Sequence, residues 1–217
     1  MTDDIDEIML RLKGTREYEI LLGMKEIYAG LETRQNEWYR RTEFVCPAGC
    51  GECCRNFEPD LFEAEAFYLA AWLLQNQPEK ANAIAGGTFT YAPGKTCILF
   101  SEENSCHCTC YNGRAFICRL FGGSCVKDKN GSPCWRPCKF YPDSRLALHI
   151  PPLSHREYTK EETERIFGAL PPVMSDITAQ SLGYTHGNEK TVPLRTILPE
   201  KIRNLMMILS FLENTSA

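Results

Sequence analysis

Apolar residues recur with helical spacing over the first forty positions of the chain. One helix face carries apolar side chains at i, i+3, i+4 and i+7: Ile5, Ile8, Met9 and Leu12. Gly14 predicts a break, after which an apolar stripe continues through Tyr18, Leu21, Leu22, Tyr28, Leu31 and Trp38. This pattern predicts helices over residues 3–43, with the aromatic rings packed in the core rather than lining a binding site.

A second helical pattern follows a cluster of cysteines. Asp60-Leu61-Phe62-Glu63 resembles a capping box, with Glu three residues after Asp, and predicts a helix that runs to about Gln77. Pro78 ends this helix and opens a short one, which stops at the glycine pair 86–87.

The C-terminal third is also helical in pattern. A second capping box at Thr159-Lys160-Glu161-Glu162 predicts a helix that ends at the proline pair 171–172, and a further helix is expected over residues 173–182. The last helix is predicted to open at Pro199. Its apolar face consists of Ile202, Leu205, Met206, Leu209 and Leu212.

Residues 88–145 have no helical periodicity and contain eight of the 12 cysteines. We therefore expect turns and short strands organised by metal rather than by a hydrophobic core. The predicted fold class is mainly α, a helical domain with an irregular, cysteine-rich metal-binding subdomain. As a single domain, 1–217 divides into N-terminal helices (1–43), a cysteine-cluster region (44–145) and C-terminal helices (146–217).

Composition and charge indicate which cellular compartment and which kinds of partner to expect. Hydrophobic residues make up 43% of the 217 and charged residues 24%, as in an ordinary soluble protein. The N-terminus is acidic, with no apolar leader, and no stretch is long and apolar enough to cross a bilayer, so we expect a cytoplasmic protein whose thiols stay reduced. A net charge of -4 with scattered basic residues argues against nucleic-acid binding. We expect no nucleic-acid or membrane partner and leave open an unidentified protein partner.

The candidate chemistry lies in a C-x3-C-x2-C-C cluster. Thiolates are soft ligands that suit zinc and iron–sulfur centres, and short spacing lets one loop deliver Cys46, Cys50 and Cys53 to a single centre. Cys54 follows directly. In an extended segment the side chains of Cys53 and Cys54 would point to opposite sides. We therefore expect the pair to serve two neighbouring centres, or one of its sulfurs to bridge them.

A second group of cysteines lies downstream: Cys97, Cys106, Cys108, Cys110, Cys118, Cys125, Cys134 and Cys138. Its spacing is not that of a zinc ribbon, so the sites must be assembled across the fold. Two tetrahedral sites would use eight sulfurs and leave four for a third site or as free thiols. The four histidines have no partner motif, and we expect none of them to be a ligand, including His107 between Cys106 and Cys108.

This arrangement resembles the YkgJ-type cysteine-cluster family, whose members are described as carrying a zinc- or iron-chelating domain. The resemblance covers roughly residues 44–121: the C-x3-C-x2-C-C cluster, Cys97-Ile98-Leu99-Phe100, Cys108-Thr109-Cys110-Tyr111-Asn112-Gly113-Arg114 and Cys118-Arg119. The family usually has proline after the first arginine, where this chain has Ala115, and the turn there is expected to be looser.

The resemblance implies a ligand set and two arginines that support it. The implied ligands are Cys46, Cys50, Cys53, Cys54, Cys97, Cys108 and Cys118. Arg114 and Arg119 are implied to hydrogen-bond the sulfurs. Their chemistry suits that role, because four thiolates around Zn²⁺ leave a net charge of -2 that guanidinium donors offset.

Five further cysteines, Cys106, Cys110, Cys125, Cys134 and Cys138, lie outside the family pattern. We expect Cys134-Trp135-Arg136-Pro137-Cys138 to form a second chelating hairpin. Cys125 and either Cys106 or Cys110 would complete it.

Several functions compete for this ligand set. Zinc is preferred over an iron–sulfur cluster, although sulfur ligation alone does not separate them. The alternative is an iron–sulfur enzyme or redox protein, and the family resemblance includes proteins linked with lysine methylation. The first cysteine spacing also matches radical S-adenosylmethionine enzymes, but Glu52 stands where they carry an aromatic residue. A disulfide scaffold is disfavoured in a chain with helices able to bury a core.

Overall fold

Helices account for just over half of the residues in the computed structural model, which describes residues 4–42, 50–91, 94–185 and 190–215. These residues form ten α-helices, one 3-10 turn and two short antiparallel ribbons, which confirms the prediction of a mainly α fold. Cys46 and His186 lie outside the described residues.

The predicted helices occur in the predicted order, and three short helices are additional, one of them within the 88–145 region that was expected to hold only turns and short strands. The helices are α1 (Asp6–Arg11), α2 (Arg16–Arg41), α3 (Glu52–Asn56), α4 (Glu63–Asn76), α5 (Pro78–Ala85), α6 (Phe116–Leu120), α7 (Asp143–Ala147), α8 (Lys160–Phe167), α9 (Met174–Ser181) and α10 (Leu194–Thr215). The break at Gly14 and the short helix ending before Gly86 are confirmed. The 3-10 turn, Leu182–Tyr184, follows α9 directly.

One of the two ribbons joins distant segments of the chain, and the other is a local hairpin. In the first, β1 (Asp60–Leu61) pairs antiparallel with β4 (Val192–Pro193), with Leu61 opposite Val192. In the second, β2 (Cys125–Lys127) pairs with β3 (Pro133–Trp135), with Cys125 opposite Trp135. Single bridges extend this second ribbon to Val173 and Tyr158.

Helix α4 is the centre of the main hydrophobic core. Every residue from Ala64 to Leu73 is buried, as expected of a helix covered on all sides. It packs against α10, α5, α2 and α1. Most of the apolar residues predicted from periodicity in the first two and the last helices are buried here, including Leu12, Leu21 and Leu205, but Met206 of the predicted last-helix face is exposed.

A second apolar cluster corrects the expectation that metal alone organises the cysteine-rich region. Trp38 from the end of α2 contacts Trp135 of β3 and Phe167 of α8, with ring centroids 6.0 and 5.0 Å apart. Tyr158 and Cys125 complete this buried group with Leu146 and Leu153. The cluster was not apparent in the sequence because Trp38 lies 87 or more positions from every other member.

The N-cap residue of α4 lies two positions after the predicted N-cap, Asp60. Asp60 belongs to β1, and the N-cap position is Phe62. The Glu65 carboxylate accepts the Phe62 N–H at 2.9 Å and the N–H of Phe116, the first residue of α6, at 2.7 Å. Burial raises the pKa of Glu65 to about 7, and these donors oppose that shift.

The last helix begins five residues before Pro199, which therefore lies inside α10. Its first two N–H groups have partners upstream of α4: Leu194 donates to the Pro59 carbonyl at 3.0 Å and Arg195 to the Glu58 carboxylate at 2.9 Å. The Arg195 guanidinium binds the same carboxylate. These contacts start the helix early, and Pro199 removes only one hydrogen bond near its first turn.

The Thr159 capping box is confirmed, whereas the predicted end of its helix is wrong. Thr159 accepts the Glu162 N–H at 3.2 Å and donates its own N–H to the Glu162 carboxylate at 3.0 Å. Helix α8 stops at Phe167 because Gly168 adopts a left-handed φ of 69°, three residues before the proline pair.

None of the helices in the described part of the chain is both long enough and apolar enough to cross a membrane.

We predict that Glu65→Gln lowers the free energy of unfolding by about 1–3 kcal/mol. Glutamine keeps one carbonyl oxygen, so its NH2 group would face the N–H of either Phe62 or Phe116 and leave that donor unsatisfied. Urea unfolding followed by circular dichroism measures the change. The control is Glu32→Gln on the exposed face of α2, where we expect a change within about 0.5 kcal/mol. Equal effects of the two substitutions would contradict the bridging role.

Candidate metal centre

Eight cysteines line one cavity of about 120 Å³ between α2, α3, α4, α6 and the start of α10. They are Cys50, Cys53, Cys54, Cys97, Cys106, Cys108, Cys118 and Cys138. We call this cavity the thiol pocket. Six of the seven ligands implied by the family resemblance are in it, and the seventh, Cys46, lies outside the described residues.

The adjacent cysteines of the cluster are helical rather than extended. Gly51, with φ of 64°, caps α3, which contains both Cys53 and Cys54. Their Sγ atoms are 3.8 Å apart. A tetrahedral ZnS4 site with Zn–S bonds of about 2.3 Å has S···S edges of about 3.8 Å. The expectation that the two sulfurs point to opposite sides is therefore wrong, and their spacing suits one shared ion.

Cys97 is attached directly to this helix. Its N–H donates to the Cys54 carbonyl at 2.9 Å, and the Thr96 hydroxyl donates to the Arg55 carbonyl at 3.0 Å. These two contacts hold the isolated cysteine beside the adjacent pair, although 43 positions separate Cys97 from Cys54.

The loop that carries Cys106 and Cys108 rests on the helix cap. His107 has a left-handed φ of 52°, and its ring lies so close to Gly51 that a Cβ added there would be 2.7 Å from the His107 Cβ. The His107 carbonyl accepts the Ser101 N–H at 3.1 Å. Glycine suits position 51 for two reasons: it adopts the positive φ without strain, and its lack of a Cβ leaves room for the His107 ring.

Cys118 reaches the pocket on α6, which the Glu65 carboxylate holds at its first N–H. The expected looser turn at Ala115 is not found. Ala115 is the N-cap of α6 with φ of -65°, the value that a proline ring would impose, so the backbone keeps the geometry of the family's usual residue.

The two arginines of the motif have different surroundings. The Arg119 guanidinium lies 4.2 Å from the Tyr28 ring centroid and donates to the carbonyls of Arg114 and Asn112. It therefore braces the backbone before α6. The Arg114 guanidinium lies 3.5 Å from the Tyr111 ring centroid, on the wall of the thiol pocket, and its buried Nε has no hydrogen-bond partner among the described residues.

Burial makes thiolates costly in this pocket. It raises the pKa of Cys97 to about 12 and the pKa of Cys118 well above its usual value. Burial also raises the pKa of Cys108, where the Arg114 charge opposes the shift. A thiol hydrogen bond between the adjacent cysteines lowers the pKa of Cys53 to about 7 and raises that of Cys54. Only a nearby positive charge would stabilise several thiolates here together.

The basis for assigning a metal is donor chemistry. No group of three Cys, His, Asp or Glu side chains within residues 4–42, 50–91, 94–185 and 190–215 forms a ready-made ion site. Eight soft donors nevertheless face one cavity, and one pair already has the spacing of a tetrahedral edge. A change of side-chain rotamer moves a cysteine sulfur without moving the backbone. The residues present therefore fit a thiolate-bound metal.

The remaining described cysteines do not line the thiol pocket. Cys110 is fully buried in the main core and Cys125 in the second cluster. The Cys134 thiol donates to the Val126 carbonyl at 3.3 Å within the β2–β3 ribbon. Cys138 thus lines the pocket together with Cys106, whereas Cys134 and Cys125, the other cysteines of the predicted chelating site, do not. Sequence reasoning missed the close approach of Cys138 to Gly122, which no local motif signals.

Packed helices around a pocket of eight thiols provide the donor set of a cysteine-based metal-binding protein. Residues 45–165 match the model of the CxxCxxCC family, described as "Putative zinc- or iron-chelating domain". The match covers more than half of the 217 residues, and the chain belongs to this family. Neither the search of the curated proteins nor that of the solved structures found a match.

We predict that Gly51→Ala weakens metal binding. The added Cβ would meet His107 at 2.7 Å and push the loop that carries Cys106 and Cys108 away from α3. The control, Gly168→Ala, places alanine at nearly the same φ, 69°, with nothing within 4 Å of its Cβ. Both variants should lose about 1 kcal/mol of stability from backbone strain. Titration against a chromophoric chelator should show weaker binding in Gly51→Ala alone, and equal affinities would contradict this role of the contact.

We also predict that Arg114→Gln lowers metal affinity by about 10-fold or more, because the variant loses the positive charge beside Cys53 and Cys108. Chelator competition at neutral pH measures the change. Arg136→Gln is the control, since Arg136 is exposed and pairs with Glu157 at 2.7 Å. An affinity of Arg114→Gln equal to that of Arg136→Gln would show that the guanidinium does not stabilise the bound thiolates.

Proposed function

We propose that this protein binds zinc in the thiol pocket, through thiolates delivered by separate segments of the chain. The observation that carries this proposal is the convergence of six family-pattern cysteines on one cavity. They come from the cluster at α3, the Cys97 segment, the Cys108 loop and α6. Packing alone would not require six thiols from four segments to face the same space.

The first ion lies against the adjacent pair in this proposal. Cys53 and Cys54 form one edge of its tetrahedral coordination shell, and Cys97 and Cys118 supply the other two sulfurs from the facing walls, with Cys108 beside them. Zinc would stabilise the thiolate forms that burial disfavours and would couple metal binding to folding of the surrounding loops. Arg114 offsets the excess negative charge of the thiolates.

Zinc is preferred to a cubane cluster because of the spacing in α3. A [4Fe–4S] cluster takes four cysteines on four irons, one to each. Two sulfurs 3.8 Å apart are better suited to sharing one metal ion. An iron–sulfur redox protein is the alternative, and its colour distinguishes it from a zinc protein.

More than one ion is part of the proposal. Six pocket cysteines of the family pattern exceed the four of a closed tetrahedral zinc site. A pocket with eight thiols has enough donors for two ions.

Elemental analysis of the protein, purified without oxygen, tests the proposal. We predict at least one zinc per chain and a colourless protein. Cys97→Ser and Cys118→Ser should each lose the ion beside the adjacent pair, whereas Cys134→Ser should keep the wild-type content, since serine can still donate to the Val126 carbonyl.

Two outcomes would contradict this assignment. A wild-type protein without bound metal would exclude the chelating function. A brown protein with iron and inorganic sulfide would replace zinc by the iron–sulfur alternative.

A further inference from the structure

Apart from Cys108, three cysteines of the thiol pocket are not used by the first ion: Cys50, Cys106 and Cys138. We propose that these three, which we call the second thiol group, bind a second soft divalent cation, with Cys53 as the sulfur shared between the two ions. This inference rests on the proposed function. It gives ligand roles to Cys106 and Cys138, which the family pattern does not include.

The contact between Gly51 and His107 brings two members of the second thiol group together. Each contact residue directly follows one of them along the chain, Cys50 and Cys106 respectively. The His107 Cβ and Cδ2 both lie about 2.7 Å from where a Cβ of residue 51 would be. The loop is also held by its hydrogen bond to Ser101 and by the Asn104 side chain, which accepts the Cys106 N–H at 2.8 Å. Neither cysteine can move far from the other without breaking this packing.

The third member, Cys138, is held at the pocket by a different contact. Gly122, with φ of 73°, follows α6, and a Cβ added there would lie 2.6 Å from the Cys138 Cβ. The Gly122 carbonyl accepts the indole N–H of Trp135 at 3.4 Å, and the Cys138 carbonyl accepts the Tyr141 N–H at 2.9 Å. The segment after β3 is thus packed onto the end of α6, with its cysteine on the pocket wall.

Cys53 links the two groups of cysteines in the pocket. It lies three positions after Cys50, on the helix that Gly51 caps, and its Sγ atom is 3.8 Å from the Sγ atom of Cys54, which belongs to the first ion. Cys53 is therefore the pocket cysteine that lies next to both sets of donors.

Apolar packing is a poorer explanation for these three cysteines. Cysteines used for packing in this chain are fully enclosed: Cys110 and Cys125 both have 0% exposure. Cys50, Cys106 and Cys138 are only half-buried and face a cavity. Half-buried thiols around a cavity are arranged as donors rather than as filling.

Zinc analysis of single variants of the full-length protein tests the second site. We expect Cys138→Ser and Cys106→Ser each to lose about one equivalent of zinc while keeping the first ion. Cys134→Ser is the matched control from the same hairpin and should keep both. Co²⁺ titration provides a second measurement, because the thiolate-to-cobalt absorption should reach its plateau after two equivalents in the wild type and after one in the two variants.

Gly122→Ala tests the same site without removing a thiol. Its Cβ would displace Cys138, so we expect the second equivalent to be lost or bound at least about 10-fold more weakly. Gly168→Ala, with a similar φ and open space around its Cβ, should bind both ions normally. Circular dichroism and thermal unfolding show whether each variant is folded, and Gly122→Ala remains informative if a cysteine variant does not fold.

The outcomes separate this inference from the proposed function. A wild-type protein with one ion, unchanged in Cys138→Ser, would overturn the second site and leave the first intact. Equal losses in Cys134→Ser and Cys138→Ser would also overturn it, in favour of a chelating hairpin. A wild-type protein with no metal would exclude the proposed function, and the second site with it.

Discussion

The Glu65 carboxylate is the interaction on which the thiol pocket depends. It is buried, and it accepts two backbone N–H groups that belong to the starts of α4 and α6. Helix starts have unsatisfied N–H groups and a partial positive charge, so one carboxylate between two of them stabilises both. Because α4 is the centre of the main core and α6 carries Cys118, this contact ties the helix of a candidate metal ligand to a buried helix of the core.

A second carboxylate, that of Glu58, connects separate segments of the chain on the other side of the pocket. Glu58 follows α3 and binds both the backbone and the guanidinium of Arg195, 137 positions later. The Arg195 guanidinium also donates to the carbonyl of Thr96, next to Cys97. This network ties the cysteine cluster, the Cys97 segment and the start of α10 to one another. Removal of Arg195 would leave the Glu58 carboxylate, which is only 9% exposed, without its counter-charge, and such a charge is costly in a protein interior.

The thiol pocket lies between two apolar clusters, and this position explains its chemistry. Leu69 of α4 belongs to the main core and lines the pocket, while the segment that brings Cys138 follows Trp135 of the second cluster. Thiolates in such surroundings are costly unless a cation is present, as the raised pKa values of Cys97 and Cys118 indicate. The protein supplies Arg114 as one positive charge, which is far less than several thiolates require. A bound divalent cation would resolve this imbalance, and its binding would then contribute to the stability of the loops.

Periodicity and local motifs in the sequence were enough to predict the mainly α fold, the break at Gly14, the capping box at Thr159 and the type of donor at the site. Each of these depends on residues a few positions apart. The start of α4, the early start of α10 and the pairing of Cys138 with the pocket rather than with Cys134 were not predictable in this way. They depend on contacts such as Glu65 to Phe116 and Glu58 to Arg195, which join residues 51 and 137 positions apart. Helix periodicity depends on residues a few positions apart, so the sequence alone predicts it. Which sulfurs face one cavity depends on long-range packing and on buried hydrogen bonds, so only the tertiary structure decides it.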